Sequence, residues 1–187
     1  MKNSFFILSI MSILLLFTAC TKDENNVKTA TNTPNNETKD ELLSYDGPSL
    51  TIGVVGGNDF KESPKVIYEN LTLEELSKNS KDDILDALII KKNAFEEADK
   101  DKYVSLYNST KYPIFFYGTE DLQAFAFTDS GVTMDQVRVK NTAYVQGYLN
   151  LSGEKQHWDL LLSNKPTNKE KNETMLIRIL ELVASRK

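Results

Sequence analysis

The sequence has one cysteine and one histidine in 187 residues. A single thiol, Cys20, cannot close a disulfide within the chain, and it removes any Cys-x-x-Cys redox pair, so thioredoxin-type chemistry is excluded. A single imidazole, His157, rules out a His-rich metal site, and a Ser-His-Asp triad would have to use this residue beside Trp158. Glycine is sparse, with eight residues, and neither G-x-G-x-x-G nor a P-loop sequence occurs. Positive charge is outnumbered: 22 Lys and Arg against 27 Asp and Glu give a net charge of −5. Beyond Lys91-Lys92 there is no basic cluster that could release counterions from a nucleic acid, so a nucleic-acid partner is not expected. An anionic membrane surface would repel such a domain rather than attract it.

A long apolar run is also missing, except at the N-terminus. Lys2 precedes Phe5 to Phe17, which is broken only by the small polar residues Ser9 and Ser12. About 13 residues at about 1.5 Å each reach roughly 20 Å, short of the roughly 30 Å hydrocarbon core of a membrane. The layout is that of a signal peptide over residues 1–19. Its end, Leu16-Phe17-Thr18-Ala19-Cys20, resembles the lipobox of bacterial lipoproteins; Thr18, Ala19 and Cys20 match, whereas Phe17 stands in place of the usual aliphatic residue. The resemblance implies cleavage before Cys20, acylation of that cysteine (palmitate-type chains) and anchorage at the extracytoplasmic face of the cell membrane. Two acyl chains suffice for stable attachment, since each buried methylene adds about 0.8 kcal/mol. Cleavage would remove Lys2 and no acid, taking the side-chain charge from −5 to about −6.

From Thr21 to Lys39 the chain is dominated by Asn, Thr, Lys, Asp and Glu. It has too little apolar surface to offset the entropy of ordering, so residues 20–44 are expected to be a lipidated, disordered linker. About 25 flexible residues span roughly 25 to 30 Å, enough to hold a small domain clear of the headgroups. Residues 45–187 are then expected to form a single domain with its own core.

Leu50 to Val55 and Val66-Ile67-Tyr68 read as strands. Thr72 and Glu75 have capping-box spacing before Leu73 and Leu76, predicting a short helix. Ala87 to Ile90 is apolar without alternation, as in a parallel strand covered on both faces. Phe95, Ala98, Tyr103, Leu106 and Tyr107 have helical spacing, with an interruption at Asp99 to Lys102. Pro113 opens an apolar strand closed by Gly118. A short apolar run, Ala124 to Phe127, follows, and Tyr144 to Leu151 then faces His157 to Leu162 across Ser152-Gly153-Glu154 as a hairpin. Leu176, Ile179, Leu180 and Val183 line one side of a C-terminal helix.

These elements predict a small three-layer α/β domain with a mostly parallel sheet and an antiparallel hairpin at one edge, in outline like a Rossmann-like or flavodoxin-like half. Taken whole, the chain resembles small uncharacterised lipoproteins of Gram-positive bacilli, which implies an envelope location and no particular reaction.

In such a sheet a ligand sits beyond the carboxyl ends of the strands. That rule gathers Gly56, Gly57, Asn58 and Asp59, then Lys91 and Lys92, then Gly118, Thr119 and Glu120, as the candidate ligand-binding residues. The glycines could let backbone N–H groups approach an anion with Lys91 as a point charge; the plainer reading is that they turn the chain out of a strand. His157 reads as a hairpin residue paired across the strand. Glu74-Glu75, Asp82-Asp83 and Glu96-Glu97 are adjacent in sequence and diverge, so they read as solvated faces rather than acid–base pairs. Asp99, Asp101, Asp129 and Asp135 lack calcium-loop order. Five Asn-x-Ser/Thr triplets, at Asn36, Asn70, Asn108, Asn150 and Asn172, read as coincidence in a bacterial chain. No catalytic residue, metal ligand or cofactor motif emerges. The expectation is a non-enzymatic envelope module binding a protein or small ligand. The alternatives are a small nucleotide- or flavin-related enzyme and a structural or immunity lipoprotein.

Overall fold

The structure is a computed structural model that describes residues 42–79 and 81–187. The expected signal peptide, Cys20 and all but the last residues of the expected linker lie outside the described residues.

Sheet position follows apolar content. The six strands are β1 (Leu50–Val55), β2 (Val66–Leu71), β3 (Ala87–Lys91), β4 (Ile114–Tyr117), β5 (Val145–Leu151) and β6 (Glu154–Leu160). Their order across the sheet is β2-β1-β3-β4-β5-β6. The pairs from β2 through β4 are parallel, and β4–β5 and β5–β6 are antiparallel, so the domain is α/β with a mixed sheet. The most apolar strands, β3 and β4, lie in the middle; from Ala87 to Ile90 and from Ile114 to Phe116 every residue is fully buried. Strand pleating sends alternate residues to opposite faces. Leu88, Ile90, Ile114 and Phe116 face one core, and Ala87, Ile89, Phe115 and Tyr117 face the other.

The first core is covered by four short helices, α1 (Leu73–Lys78), α2 (Phe95–Ala98), α3 (Val104–Ser109) and α4 (Phe125–Thr128). α1 starts at the predicted capping box: Glu75 N–H donates to Thr72 Oγ1 at 3.2 Å, and Thr72 N–H donates to Glu75 Oε2 at 2.8 Å, satisfying two amides that a helix start would otherwise leave open. The interruption expected at 99–102 separates α2 from α3. The apolar run Ala124 to Phe127 leads into helix α4, which starts at Phe125. The place beside β4 is taken by β5, and Ala126 and Phe127 turn into the first core, where Phe127 stacks on Phe116 at 4.5 Å.

The second core is covered by α5 (Met175–Ala184), which follows a π-helical turn over Glu170–Thr174. It buries Met175, Leu176, Ile179, Leu180 and Val183; burial of each such side chain contributes about 1.5–3 kcal/mol before entropy is counted. Leu43 and Tyr45 join this core, and Leu43 N–H donates to Glu62 O at 2.8 Å. The packed chain therefore begins before the domain boundary expected at residue 45. The connection from β1 to β2, residues 56–65, carries no helix; it crosses on the α5 side and inserts Phe60 against that core.

The hairpin turns on Ser152 and Gly153, with φ of +54° and +90°. Positive φ at both central residues matches the twist of the strands it joins. β6 begins directly after it, three residues before the predicted His157. In β5, Gly147 leaves room for rings from both neighbours: a Cβ there would lie 2.8 Å from Phe115 Cε1 and from Trp158 Cε3. Gly147→Val should lower stability by about 1–3 kcal/mol through overpacking, read as a lower urea midpoint with an unchanged m-value.

Candidate functional site

The helix-free connection after β1 and the ends of β3 and β4 open onto one cleft of about 900 Å³. Its first wall is residues 59–62. Lys91, Lys92 and Asn93 leave β3 at its base, Tyr117 and Gly118 leave β4, Tyr144 enters β5, and Lys171 to Glu173 close the opposite side just before α5. The size is that of a small-molecule site.

The interior combines rings and ion pairs. Phe60 meets Tyr117 edge-on at 5.4 Å and Tyr68 at 5.8 Å, and Tyr117 meets Tyr144 at 5.3 Å. Lys91 Nζ stands 5.2 Å from the Phe60 ring centre and Lys171 Nζ 5.4 Å from that of Tyr144, within cation–π range. Each lysine also has a carboxylate: Lys91 with Asp59, Lys171 with Glu120, Lys92 with Glu120 at 3.9 Å, and Lys61 with Glu173 at 3.4 Å. Glu120 holds the Lys171 ammonium above its usual pKa. Burial raises the hydroxyls of Tyr117 and Tyr144, so both are neutral near pH 7 and poor bases. The Tyr117 hydroxyl donates to Lys171 O and ties β4 to the opposite wall. The cleft can stack a ligand and exchange hydrogen bonds with it.

Of the residues singled out from sequence, Asp59, Lys91, Lys92, Gly118 and Glu120 line the cleft. Gly56 sits at its rim with φ +99°, where its carbonyl accepts from Asn93 Nδ2 at 2.6 Å and a Cβ would fall 2.3 Å from Asn93 Oδ1. Gly57 is exposed with nothing beside it. Asn58 turns towards β2, its N–H donating to Asn70 Oδ1 at 2.8 Å. Thr119 is buried; its hydroxyl donates to Ala143 O at 2.7 Å and accepts from Gln146 Nε2 at 2.8 Å. Gln146 also accepts from Ala124 N–H at 2.8 Å, so Thr119 braces the wall rather than lining the cleft. Phe60, Tyr144 and Lys171 were not anticipated. Only Tyr144, at the start of the predicted hairpin, carried a usable signal, because an antiparallel β5 beside β4 brings its first residues to this end of the sheet.

His157 is exposed on β6 with its ring 5.3 Å from Tyr148, beside a separate depression of about 220 Å³. Among the described residues no three His, Cys, Asp or Glu side chains are grouped to hold a metal ion, and no helix is long and apolar enough to cross a membrane. Comparison with protein families, curated proteins and solved structures finds no match.

The Tyr68 hydroxyl is buried without a hydrogen-bond partner, and burial pushes its pKa up to about 12. Tyr68→Phe should raise stability by about 1 kcal/mol, since it deletes an unsatisfied polar group. Tyr112 is likewise raised to about 12, and Tyr107 and Tyr117 are raised by burial too. Above about pH 10 the unfolded chain releases phenolic protons that the folded one retains, so stability falls as pH rises from 10 towards 12 and has no slope from these groups below that window. Urea midpoints at pH 8, 10 and 11 measure this, and a midpoint unchanged between pH 8 and 11 would contradict it.

Proposed function

We propose that this chain is an extracytoplasmic lipoprotein, attached to the cell membrane by lipid on Cys20, whose domain is a non-enzymatic binding module of the envelope. The cleft holds a small ligand or a short segment of an envelope protein. The observation that carries this reading is a ligand-sized cleft with aromatic walls whose four lysines are paired with three carboxylates, Lys92 and Lys171 sharing Glu120. That arrangement suits retention of a ligand.

The position of the cleft supports the same reading. The parallel strands run β2-β1-β3-β4, the order of a flavodoxin-like half, and the chain leaves β1 for one side of the sheet and later returns to the other. Ligands in open α/β sheets bind where the order reverses, between the loops after such strands. Here the loop after β1 supplies Phe60 and the segment after β3 supplies Lys91 and Asn93. For the anchor, the support is the sequence Thr18-Ala19-Cys20 behind a short apolar run.

Two experiments test the two halves. Cys20→Ala should abolish incorporation of labelled fatty acid and leave the precursor uncleaved; labelling that survives would overturn the anchor. Full-length protein extracted gently from its own membranes should carry an adduct in native mass spectrometry, and Phe60→Ala should reduce its occupancy about tenfold, as loss of about 1.4 kcal/mol of ring contact predicts. Occupancy unaffected by Phe60→Ala would place the binding surface elsewhere.

A further inference from the structure

The ion pairs of the cleft are not equivalent. In Lys61–Glu173 the two side chains are 27% and 29% exposed, and in Lys171–Glu120 they are 31% and 35% exposed. Such balanced pairs staple one wall segment to another. Lys91–Asp59 is lopsided: the lysine is 17% exposed and the aspartate 76%. Lys91 is rooted at the end of β3, most of its side chain is buried, and its ammonium lies over the Phe60 ring at 5.2 Å and faces the cleft. An ammonium so placed favours an anion beside it. Asp59 supplies one from an exposed stretch that begins at Gly56 and Gly57, both with positive φ, and it has little burial to lose by leaving.

We infer that Asp59 is an exchangeable counter-ion, and that the cleft takes a small organic anion whose carboxylate or phosphate replaces Asp59 at Lys91 while its apolar body lies against Phe60 and Tyr144. This rests on the reading of the cleft as a binding site and adds the class of ligand. The charge of the lining favours the exchange. With Asp59 withdrawn, Lys61, Lys91, Lys92 and Lys171 face Glu62, Glu120 and Glu173, leaving one positive charge for a monoanion to neutralise. The ring beneath Lys91 explains why the body should be apolar: a ligand that stacks on Phe60 keeps water away from the new ion pair and strengthens it. Asp59, tethered close by, competes at high effective concentration, so the unaltered chain binds such anions weakly and loosening Asp59 increases affinity.

The test uses the full-length chain in detergent micelles, with benzoate and phenyl phosphate as probes and acetate and inorganic phosphate as probes lacking a ring. Asp59→Asn keeps size and polarity but removes the competing charge; it should tighten binding of a ring-bearing probe about tenfold. Lys91→Gln in the same background should abolish it, and Lys91→Arg should restore it. The stronger of the two ring-bearing probes identifies the acidic group. Thermal unfolding of each variant, matched to the parent, shows that the fold is retained. The inference is overturned if neither ring-bearing probe binds Asp59→Asn at millimolar concentration, or if binding is indifferent to both Asp59→Asn and Lys91→Gln. A neutral adduct from native extracts that needs Phe60 but not Lys91 would also overturn it while leaving the cleft as a binding site intact. Loss of that site altogether would show as occupancy indifferent to Phe60 and Lys91 alike.

Discussion

Two-sided burial of β3 and β4 is the constraint on which the rest of the domain depends. Leu88, Ile89, Ile90, Ile114, Phe115 and Phe116 have no accessible surface, and their alternation presents apolar side chains in both directions. A sheet with such a centre must be covered twice. α1 to α4 cover one face, and α5 with Leu43 and Tyr45 covers the other. Less apolar strands are displaced outwards: β2 exposes Ile67, and β6 carries Glu154, Lys155 and Asp159 on an edge that charge protects from pairing with another sheet. Because both faces of the central strands are filled, the ligand-sized cleft lies beyond their ends.

The seam where the sheet changes from parallel to antiparallel shapes that end. β5 runs back alongside β4, and Gln146 uses its side-chain amide to hold the segment that leaves β4. It donates to Thr119 Oγ1 and Leu122 O and accepts from Ala124 N–H. Gln146 is 6% exposed, so each of these bonds satisfies a group that water does not reach, and each counts for more than a surface contact. Glu120 is thereby set where it meets Lys92 and Lys171, and the cleft wall owes its shape to a residue that does not line it. On the other side the wall is the connection between β1 and β2, which has no helix and is fastened through Leu43 and Lys61. One wall is thus braced by the buried hydrogen bonds of Gln146, and the other by Leu43 and Phe60 at the edge of the second core and by the Lys61–Glu173 pair.

Features set by a few neighbouring residues were legible from sequence. The apolar runs of β1, β3 and β4, the Thr72–Glu75 cap, the break between α2 and α3, the hairpin and the apolar side of α5 all follow from short spacings. What escaped depended on distant partners. The short apolar run Ala124 to Phe127 carried no spacing that set its type, and it enters helix α4 while β5 takes the place beside β4. The link between β1 and β2 could not be known to lack a helix, because Phe60 replaces helical cover only once α5 and Tyr68 surround it. The candidate site was partly legible: the rule about strand ends led to Asp59, Lys91, Lys92, Gly118 and Glu120, which line the cleft, but also to Thr119, which turns inwards. Lys171 is brought in by packing of the segment before α5, and no local pattern marks it.

The order of the elements along the chain has a consequence for how the domain comes into being. β1 to β4 can line up with α1, α2 and α3 as they emerge, N-terminus first, and that covers one face. The second face has only the partial cover of Leu43, Tyr45 and Phe60 until α5 arrives, after the hairpin and residues 161–174. During vectorial synthesis, part of the apolar surface of Ile52, Val54, Ile89 and Phe115 would be presented to water or to a chaperone throughout that interval. Lys187 then reaches back to Asp86 and to Ser49 O, at 2.9 Å in each case, joining the far end of the chain to its first strand. The second core is therefore complete only once α5 has been delivered.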